Sequence, residues 1–441
     1  MSEALRLGPG SLAGEVAVPP SKSLLHRAMI AAALAGDPGA CVVPPAPSED
    51  VAATRRCLAA LLAPPAAGGA PAAVDCGESG TTLRLLVPVA AALGRASVFT
   101  GRGRLPRRPM KPYADCFSGS GAVLRFPDDP GASLPLAVSG RPRPGVYTLP
   151  GDVSSQFVSG LLLALPLLGG PSEIRLSSPL QSRPYVDMTL AVMRAFGVEA
   201  AETPEGFAVA GSQRYRAPAA PYEAEADASQ AAFWHLANFL GSSVSFAGSK
   251  FQVPSCKFQV PGSGFNFSTF QPFNLSTWNL QPSNLQGDAV FPALLARLAA
   301  APAGGPPPEI DVSQVPDLVP ALAAAAAWSP AGARIVRAER LRLKESDRLA
   351  TTAALLRAFG SAAAETADGL AIPPGPPRAP AGPAEADGAG DHRIVMAAAM
   401  LATRAPCVLR GAEAVAKSYP SFFEDYRRAG GRAAPAGEDG A

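Results

Sequence analysis

Short clusters of Ser, Thr, Asp or Gly alternate along the chain with apolar runs rich in Ala and Leu, and this alternation predicts most of the helices. A polar residue just before such a run can cap the free N–H groups of the first helical turn. A run that is apolar on every face predicts a helix buried in a core. Six segments have this form: PSKSLLHRAMIAAALA from Pro20, GESGTTLRLLVPVAAAL from Gly77, DVSSQFVSGLLLALPLL from Asp152, DASQAAFWHLANFL from Asp227, VPDLVPALAAAAAW from Val315 and DHRIVMAAAMLATRA from Asp391.

A second kind of segment is amphipathic and more charged, and it usually ends on glycine. Glycine suits a helix C-terminus because it readily adopts the left-handed conformation found there. The endings VMRAFG at 192–197 and LLRAFG at 355–360 are near copies of each other. Alternating stretches such as RASVFTG, GVYTLPG and SEIRLSS lie between the helices and predict strands. The segments of the second kind are EDVAATRRCLAALLA, RRPMKPYADCFSGSG, SRPYVDMTLAVMRAFG, QGDAVFPALLARLAA, KESDRLATTAALLRAFG and KSYPSFFEDYRRAGG.

The two kinds of segment repeat in step, which predicts six α/β units, each with one buried and one half-exposed helix. Six units exceed one core, so we expect two lobes of three units each. The polar starts of the buried helices could then face one cleft between the lobes. Because a helix N-terminus carries free N–H donors and about half a positive charge, such a cleft would suit a ligand with several negative charges.

Composition excludes several classes of function. The 441 residues carry a net charge of +2, which gives no electrostatic footprint for nucleic acid or a membrane surface. The six cysteines form no C-x-x-C pair and the three histidines share no ligand spacing, so we expect reduced thiols and no metal site. We find neither an export signal nor an uninterrupted apolar span, and we expect a cytoplasmic protein.

Lysine is rare in this chain, with six residues against 38 Lys and Arg together. Lysine offers a compact ammonium that can be directed at a phosphate or carboxylate. A solvated helix cap explains Lys22 about equally well when that residue is considered alone. Four of the six lysines, however, lie in short polar motifs, and this clustering favours an anion site. They are Lys22 in PSKS, Lys111 in RRPMK, Lys344 in KESDR and Lys417 in AKSYP.

Ten segments in order resemble the signature segments of the 5-enolpyruvylshikimate-3-phosphate synthase family. They are PSKSLLHRA, GESGTTLR, RRPM, SSQFVSGLLLALPL, SRPYVDMTL, QGDAVF, PDLVPALA, LRLKESDRL, DHRIVMA and KSYPSFF. The resemblance covers nearly the whole chain. It implies an α/β fold of two lobes, each built from three α/β units as an inverse α/β barrel, with the active site in the interlobe cleft. One lobe would be discontinuous, joining 1–19 to 226–441, and the other would span 20–225.

The resemblance also implies the reaction, in which shikimate 3-phosphate and phosphoenolpyruvate give an enolpyruvyl ether and inorganic phosphate. Matching the family's motifs assigns cations and small polar groups to each substrate. The residues implied for phosphoenolpyruvate are Lys22, Gly80, Arg108, Gln156, Arg348, Arg393 and Lys417. Those implied for shikimate 3-phosphate are Ser23, Arg27, Ser154, Ser155, Gln156, Ser182, Tyr185, Asp317 and Lys344.

Two carboxylates, together with Lys22, are the catalytic residues that the resemblance implies. Asp317 would take the proton of the attacking 5-hydroxyl, and Glu345 would protonate the methylene and later remove a proton from the methyl. The mechanism implies no metal and no organic cofactor. Asp317 could also be the N-cap of the helix that follows it. For Asp347 we favour a plain structural role, as an intrahelical partner of Arg or Lys.

The stretch 249–283 departs from both the helix patterns and the family pattern. It contains KFQVP twice, at 250–254 and 257–261, and it is dominated by Phe, Gln, Asn and Ser. We interpret it as an insertion of about thirty residues, which is long for a structureless loop. A surface loop, a specific interaction segment and an error in the recorded sequence all remain open. The segment after QGDAVF is shorter than the family pattern.

The motifs argue against two other functions. A related transferase acts on UDP-N-acetylglucosamine, but PSKS and SSQF argue against it. A catalytically silent homologue or binding scaffold would have no need to keep every cleft residue: Lys22, Asp317, Glu345, Arg348, Arg393 and Lys417. We therefore expect an enzyme of aromatic amino-acid biosynthesis that acts as a monomer on two small-molecule substrates, without nucleic acid or membrane partners.

Overall fold

The protein is described by a computed structural model covering residues 4–65, 67–129, 132–247, 285–378 and 380–436. The predicted insertion at 249–283 lies outside these residues. The chain divides into two compact units. We call Pro20–Glu225 the inserted unit, and Met1–Pro19 with Ala226–Ala441 the discontinuous unit. Among the described residues, no helix combines the length and the apolar character needed to cross a membrane.

The inserted unit alternates helices and short strands. Its helices are α1 (Lys22–Leu34), α2 (Glu49–Leu62), α3 (Gly80–Ala92), α4 (Lys111–Phe117), α5 (Ser155–Ala164) and α6 (Arg183–Ala195). Its strands are β3 (Ala72–Asp75), β4 (Ser97–Thr100), β5 (Ala122–Arg125), β6 (Leu136–Gly140), β7 (Val146–Leu149), β8 (Ser172–Leu176), β9 (Ala201–Thr203) and β10 (Gly206–Val209).

The discontinuous unit is built in the same way. Its helices are α7 (Ala228–Phe239), α8 (Phe291–Ala300), α9 (Val319–Ala327), α10 (Arg348–Ala358), α11 (His392–Leu401) and α12 (Phe422–Arg428). Its strands are β1 (Leu5–Gly8), β2 (Ala13–Val16), β11 (Ser243–Phe246), β12 (Glu309–Asp311), β13 (Ala333–Val336), β14 (Ala364–Glu365), β15 (Leu370–Ile372), β16 (Ala384–Asp387), β17 (Cys407–Arg410) and β18 (Arg432–Pro435).

One sheet topology recurs four times, with a parallel pair followed by two antiparallel pairings. In the inserted unit the strand orders are β3-β4-β6-β5 and β7-β8-β10-β9, and in the discontinuous unit β12-β13-β15-β14 and β16-β17-β1-β18. In the last sheet β1 lies between β17 and β18, so that Leu5 is opposite both Leu409 and Pro435. A further parallel pair joins β2 to β11, and a single parallel bridge joins Cys41 to Tyr222. These repeats confirm the predicted mixed α/β class.

The predicted distinction between buried and amphipathic helices is confirmed. Each of the six segments with a polar start contains a helix, and every residue of α9 and α11 is buried. The second kind of segment gives half-exposed helices; α2, for example, buries Val51 and Leu58 but exposes Arg55 and Arg56. Such a helix packs against the core through its single apolar face.

Both RAFG endings close their helices with the same hydrogen-bond pattern. After α6, the N–H of Val198 donates to Met193 O and that of Gly197 to Arg194 O; after α10, Ser361 donates to Leu356 O and Gly360 to Arg357 O. This is the Schellman arrangement, which requires a left-handed residue. The φ angles are 73° at Gly197 and 88° at Gly360, which any side chain would strain.

The two glycines predict a graded loss of stability on substitution by alanine. At Gly197 an added Cβ would have 3.9 Å to its nearest neighbour, Arg216, so only backbone strain of about 1 kcal/mol is expected. At Gly360 the Cβ would overlap the carbonyl oxygen of Arg378, and the loss should be at least twice as large. Urea unfolding of G197A and G360A checks the order. Equal losses would contradict it.

Candidate active site

A buried arginine at the start of α10 organises the charged residues of the discontinuous unit. Arg348 is 1% exposed, and its guanidinium contacts three carboxylates. Its Nε donates to Asp391 Oδ2 at 2.8 Å, one terminal nitrogen to Asp317 Oδ1 at 2.9 Å and the other to Glu345 Oε2 at 2.5 Å. The two predicted catalytic carboxylates, Asp317 and Glu345, are therefore held by one cation.

Burial by itself would lower the pKa of Arg348, but the charges of Asp391, Glu345 and Asp317 outweigh it and raise that pKa above its ordinary value. The guanidinium is consequently a fixed positive charge at any physiological pH. Asp391 is wholly buried and also caps α11, since its Oδ1 accepts the N–H of Arg393 at 3.0 Å. Arg348 thereby links the starts of α10 and α11.

Further predicted cations lie around Asp317. Arg393 donates to Asp317 Oδ2 at 3.0 Å and to its carbonyl oxygen at 3.2 Å, and Lys344 lies 3.4 Å from Oδ1. Lys417 donates to the carbonyl of Gly390, 2.6 Å away and directly before the α11 cap. We call this set the carboxylate–cation cluster; its members are Asp317, Lys344, Glu345, Arg348, Asp391, Arg393 and Lys417.

Asp288, in the QGD motif, is a buried carboxylate that belongs to the same region. Ser229, in the first turn of α7, donates to its Oδ2. Burial raises the pKa of Asp288 to about 6; Asp317 adds to the rise, while Arg393 and the Ser229 hydrogen bond oppose it. The other polar residue of the motif, Gln286, accepts the N–H of Ala228 at 2.9 Å, so QGD also caps α7.

In the inserted unit, Lys22 is the first residue of α1 and forms an ion pair with Asp50. The distance from Lys22 Nζ to Asp50 Oδ2 is 2.8 Å, and the two side chains are 14% and 12% exposed. The solvated-cap interpretation of Lys22 is therefore wrong. At the start of α3, the guanidinium of Arg108 packs against Gly80 so closely that a Cβ there would overlap it. Gly80 is thus required for this position of Arg108.

Gln156, in the first turn of α5, is fixed by two neighbours on α3. Its Oε1 accepts from Arg84 at 2.9 Å, and its Nε2 donates to Thr81 Oγ1 at 2.8 Å. Ser154 caps α5 by accepting the N–H of Gln156 at 3.3 Å, and Ser155 is buried beside it. The side-chain amide of Gln156 is therefore held by two residues of α3, while Ser154 caps the backbone at the start of α5.

Arg27 lies in the core of the inserted unit, where it connects α1 with α5 and α6. It donates to Thr189 Oγ1 at 2.7 Å, to Ser159 Oγ at 3.3 Å, and to the carbonyls of Ser23 at 2.6 Å and Tyr185 at 2.9 Å. Burial lowers its pKa to about 10. Its contacts to shikimate 3-phosphate stay a prediction, as do those of Ser23, Tyr185 and Ser182, which starts α6 with φ of 54°.

Three local expectations about helix starts are wrong. Asp317 does not cap α9: it lies in the 3-10 turn Pro316–Leu318, and α9 starts without a side-chain cap. The structural role expected of Asp347 is confirmed, since it caps α10 and pairs with Arg342 at 3.1 Å, although this partner lies in the preceding turn and not in the helix. Residues 344–347 precede α10, and Lys417 ends a 3-10 turn instead of starting a helix. In each case a proline or a turn delays the helix.

Sequence reasoning did not single out three residues that hold the predicted ones. They are Asp50, which pairs with Lys22; Arg84, which holds Gln156; and Asp391, which holds Arg348. Arg84 and Asp391 lie inside quoted motifs, so their motifs were a usable signal. Asp50 gave none. His26 is buried. Within the described ranges, no group of three or more His, Cys, Asp or Glu side chains could hold a metal ion.

The raised pKa of Asp288 predicts that this carboxylate costs stability at neutral pH. An unfolded Asp loses its proton near pH 3.8, whereas the folded one keeps it to about pH 6, so stability falls as pH rises through this window. We expect D288N to be more stable than the wild type by about 1–2 kcal/mol at pH 7.5 and equally stable at pH 4. Urea unfolding at both values checks this.

Asp311 provides a control with the opposite sign. Its carboxylate accepts the N–H of Ser313 at 2.8 Å and pairs with Arg337 at 3.1 Å. We expect D311N to be less stable than the wild type at pH 7.5. If D288N also lost stability at pH 7.5, the carboxylate would be contributing stability there and the prediction would be wrong.

Comparison with known proteins assigns the family. The model of EPSP synthase (3-phosphoshikimate 1-carboxyvinyltransferase) matches residues 7–248 and 296–426. The 3-phosphoshikimate 1-carboxyvinyltransferase of Clostridium acetobutylicum is 35% identical over 460 residues, covering 97% of each chain. The EPSP synthase structure from Acinetobacter baumannii superposes with a TM-score of 0.67 at 24% identity, covering 98% of this chain and 100% of that one. An enolpyruvyl transferase from Streptomyces tendae gives 0.67 at 17% identity, covering 98% and 99%. The chain therefore belongs to the EPSP synthase family and has its fold.

Proposed function

We propose that this protein transfers the enolpyruvyl group of phosphoenolpyruvate to the 5-hydroxyl of shikimate 3-phosphate and releases phosphate. The observation that carries the proposal is the carboxylate–cation cluster, in which one buried guanidinium holds Asp317 and Glu345. The chemistry needs two proton-transfer groups beside several cations, because both substrates are anions and a proton moves in each step.

In the first step the 5-hydroxyl loses its proton and its oxygen bonds to C2 of phosphoenolpyruvate, while the methylene gains a proton to become a methyl group. In the second step a methyl proton leaves and the bond from C2 to the phosphate oxygen breaks, which gives the enolpyruvyl ether and inorganic phosphate. We assign the hydroxyl proton to Asp317 and the methylene and methyl protons to Glu345. Hydrogen bonds from Arg348 to both carboxylates fix their orientation.

We assign anion binding to the cations of both units. In the discontinuous unit, Arg348, Arg393 and Lys417 would bind phosphoenolpyruvate, and Lys344 with Asp317 would bind shikimate 3-phosphate. The residues of the inserted unit that we assign to phosphoenolpyruvate, either as contacts or as residues that position a contact, are Lys22, Gly80, Arg108 and Gln156. The residues of this unit that we assign to shikimate 3-phosphate, either as contacts or as residues that position a contact, are Ser23, Arg27, Ser154, Ser155, Gln156, Ser182 and Tyr185.

Arg27 already donates to four protein oxygens, so its contribution would be to orient Ser23 and Tyr185, whose carbonyls it holds. Gly80 would act by leaving room for Arg108. Ser154 would act through its cap on Gln156. These assignments divide the residues into those that offer charge to a substrate and those that hold the charged groups in place.

The proposal includes a monomer in the cytoplasm with no cofactor. The 35% identity to the Clostridium acetobutylicum protein across 97% of the chain supports the reaction but leaves assembly untouched. Light scattering of the purified protein at micromolar concentration tests the monomer directly, and a dimer mass would remove that part of the proposal.

Phosphate release should depend on both substrates. We expect release with phosphoenolpyruvate and shikimate 3-phosphate together, and none with either alone or with UDP-N-acetylglucosamine in place of shikimate 3-phosphate. The physical reason is that the phosphate leaves only after the acceptor hydroxyl has added to C2. A coupled phosphate assay measures this. Release without shikimate 3-phosphate, or release with the nucleotide sugar, would overturn the proposed reaction.

Loss of the Asp317 carboxylate should remove turnover without removing the fold. We expect D317N to lower kcat about 10²- to 10⁴-fold, because an amide cannot accept the hydroxyl proton. The matched control is D347N, since Asp347 lies in the same charged region but caps α10 and pairs with Arg342. Asparagine also caps helices well, so D347N should keep kcat within about threefold.

Circular dichroism and thermal melting of both variants separate catalysis from folding. If D317N turned over at the rate of D347N, Asp317 would not be the base. If D317N does not fold, the variant D317E is measured in its place, because glutamate keeps the negative charge and changes only the position of the carboxylate. Full activity of D317E would also argue against a positioned base.

A further inference from the structure

The ion pair between Lys22 and Asp50 identifies a residue of the inserted unit that no motif signalled. Lys22 begins α1, and Asp50 lies in the first turn of α2, 28 residues further along the chain. Their side chains meet at 2.8 Å with most of their surface out of solvent. Lys22 also has other contacts, so the pair belongs to a larger set of interactions.

The electrostatics of the two helix starts explain why this lysine needs a carboxylate. A helix N-terminus carries partial positive charge, which disfavours an ammonium in the first turn and favours a carboxylate. Lys22 is at the unfavourable end of α1, where Ser21 makes no side-chain cap and Arg27 follows one turn later. Asp50 is at the favourable end of α2. The carboxylate therefore offsets the repulsion that Lys22 meets on its own helix.

Hydrogen bonds fix the backbone of Asp50 relative to α3. Thr82 Oγ1 lies 3.5 Å from the Asp50 carbonyl oxygen and 2.7 Å from Oγ of Ser79, the α3 cap, and its single O–H can donate to either acceptor. Thr54, one turn after Asp50, contacts Thr82 Oγ1 at 2.7 Å and His26 Nδ1 at 2.6 Å. This buried relay ties α2 to α1 and to the start of α3.

We propose that Asp50 is a positioning residue that holds the Lys22 ammonium in place beside the start of α3. The inference rests on the proposed function, in which Lys22 binds phosphoenolpyruvate and Gly80 and Arg108 lie at the start of α3. Asp50 itself needs no contact with either substrate. Asp50 acts through Lys22. Its carboxylate keeps the ammonium at a fixed position, which the flexible four-carbon side chain of lysine would not do by itself.

The chain offers a matched control. Lys111 and Asp115 form an ion pair of the same two residue types at 2.6 Å, in the same unit, but their side chains are 79% and 63% exposed. Exposed pairs of this kind contribute little. The substitutions D50N and D115N therefore remove the same charge from two pairs that differ in burial and in the role of the lysine.

The first experiment measures the ion pair without any substrate. Urea unfolding of the wild type, K22M, D50N and the double variant gives the coupling between the two side chains. We expect the coupling between Lys22 and Asp50 to correspond to a factor of about three or more in the equilibrium constant of unfolding. For the control cycle of K111M and D115N we expect a factor of less than about two. Additive effects of K22M and D50N would overturn the inference, whatever reaction the protein catalyses.

The second experiment measures what the pair does for turnover. We expect D50N to lower kcat/KM for phosphoenolpyruvate about 10- to 100-fold while KM for shikimate 3-phosphate changes less than about threefold. D50E keeps the carboxylate and should recover most of the loss, and D115N should match the wild type. A merely structural role would change both KM values alike and would not be rescued by glutamate, and that result would overturn the inference. An inactive wild type would instead refute the proposed function, leaving the coupling measurement to decide on Asp50.

Discussion

A guanidinium can be buried only where the surrounding groups compensate for the water that it loses, and Arg348 meets this requirement with three carboxylates. Asp391, Asp317 and Glu345 each accept from it, and together they raise its pKa although burial acts in the other direction. Removing one partner from such a buried set generally costs about 3–5 kcal/mol. The same contacts that keep Arg348 charged therefore fix the two carboxylates to which we assign proton transfer.

Arg27 in the inserted unit shows the other way of burying an arginine. Its partners are hydroxyls and carbonyls, which carry no charge, and burial lowers its pKa to about 10. Neutral acceptors satisfy the N–H donors but leave the charge uncompensated. Arg27 therefore connects helices through neutral groups, whereas Arg348 binds three carboxylates. The two arginines have the same exposure but different structural roles, because the acceptors of one are neutral and those of the other are charged.

The sequence predicted much of the fold, and it named most of the side chains that meet in the carboxylate–cation cluster. The six polar-start segments became helices, and Gly197 and Gly360 close α6 and α10 as their RAFG endings predicted. It failed at turns: Pro316 places Asp317 in a 3-10 turn before α9, and the charged run 344–347 stays outside α10. Helix propensity and capping depend on residues that are close in sequence. They therefore predict that a helix is present, but they do not predict its first residue where a turn comes before it.

What the sequence determined by itself is local: the helix caps other than those of α1 and α9, the glycine endings and the motifs that identify the family. Only the tertiary structure decided which charges meet. Asp50 lies 28 residues from Lys22, and Asp391 lies 43 residues from Arg348. These pairings depend on how helix starts from distant parts of the chain pack together. Their strength also depends on burial, because a charge pair screened by water contributes little and the same pair out of water fixes its members.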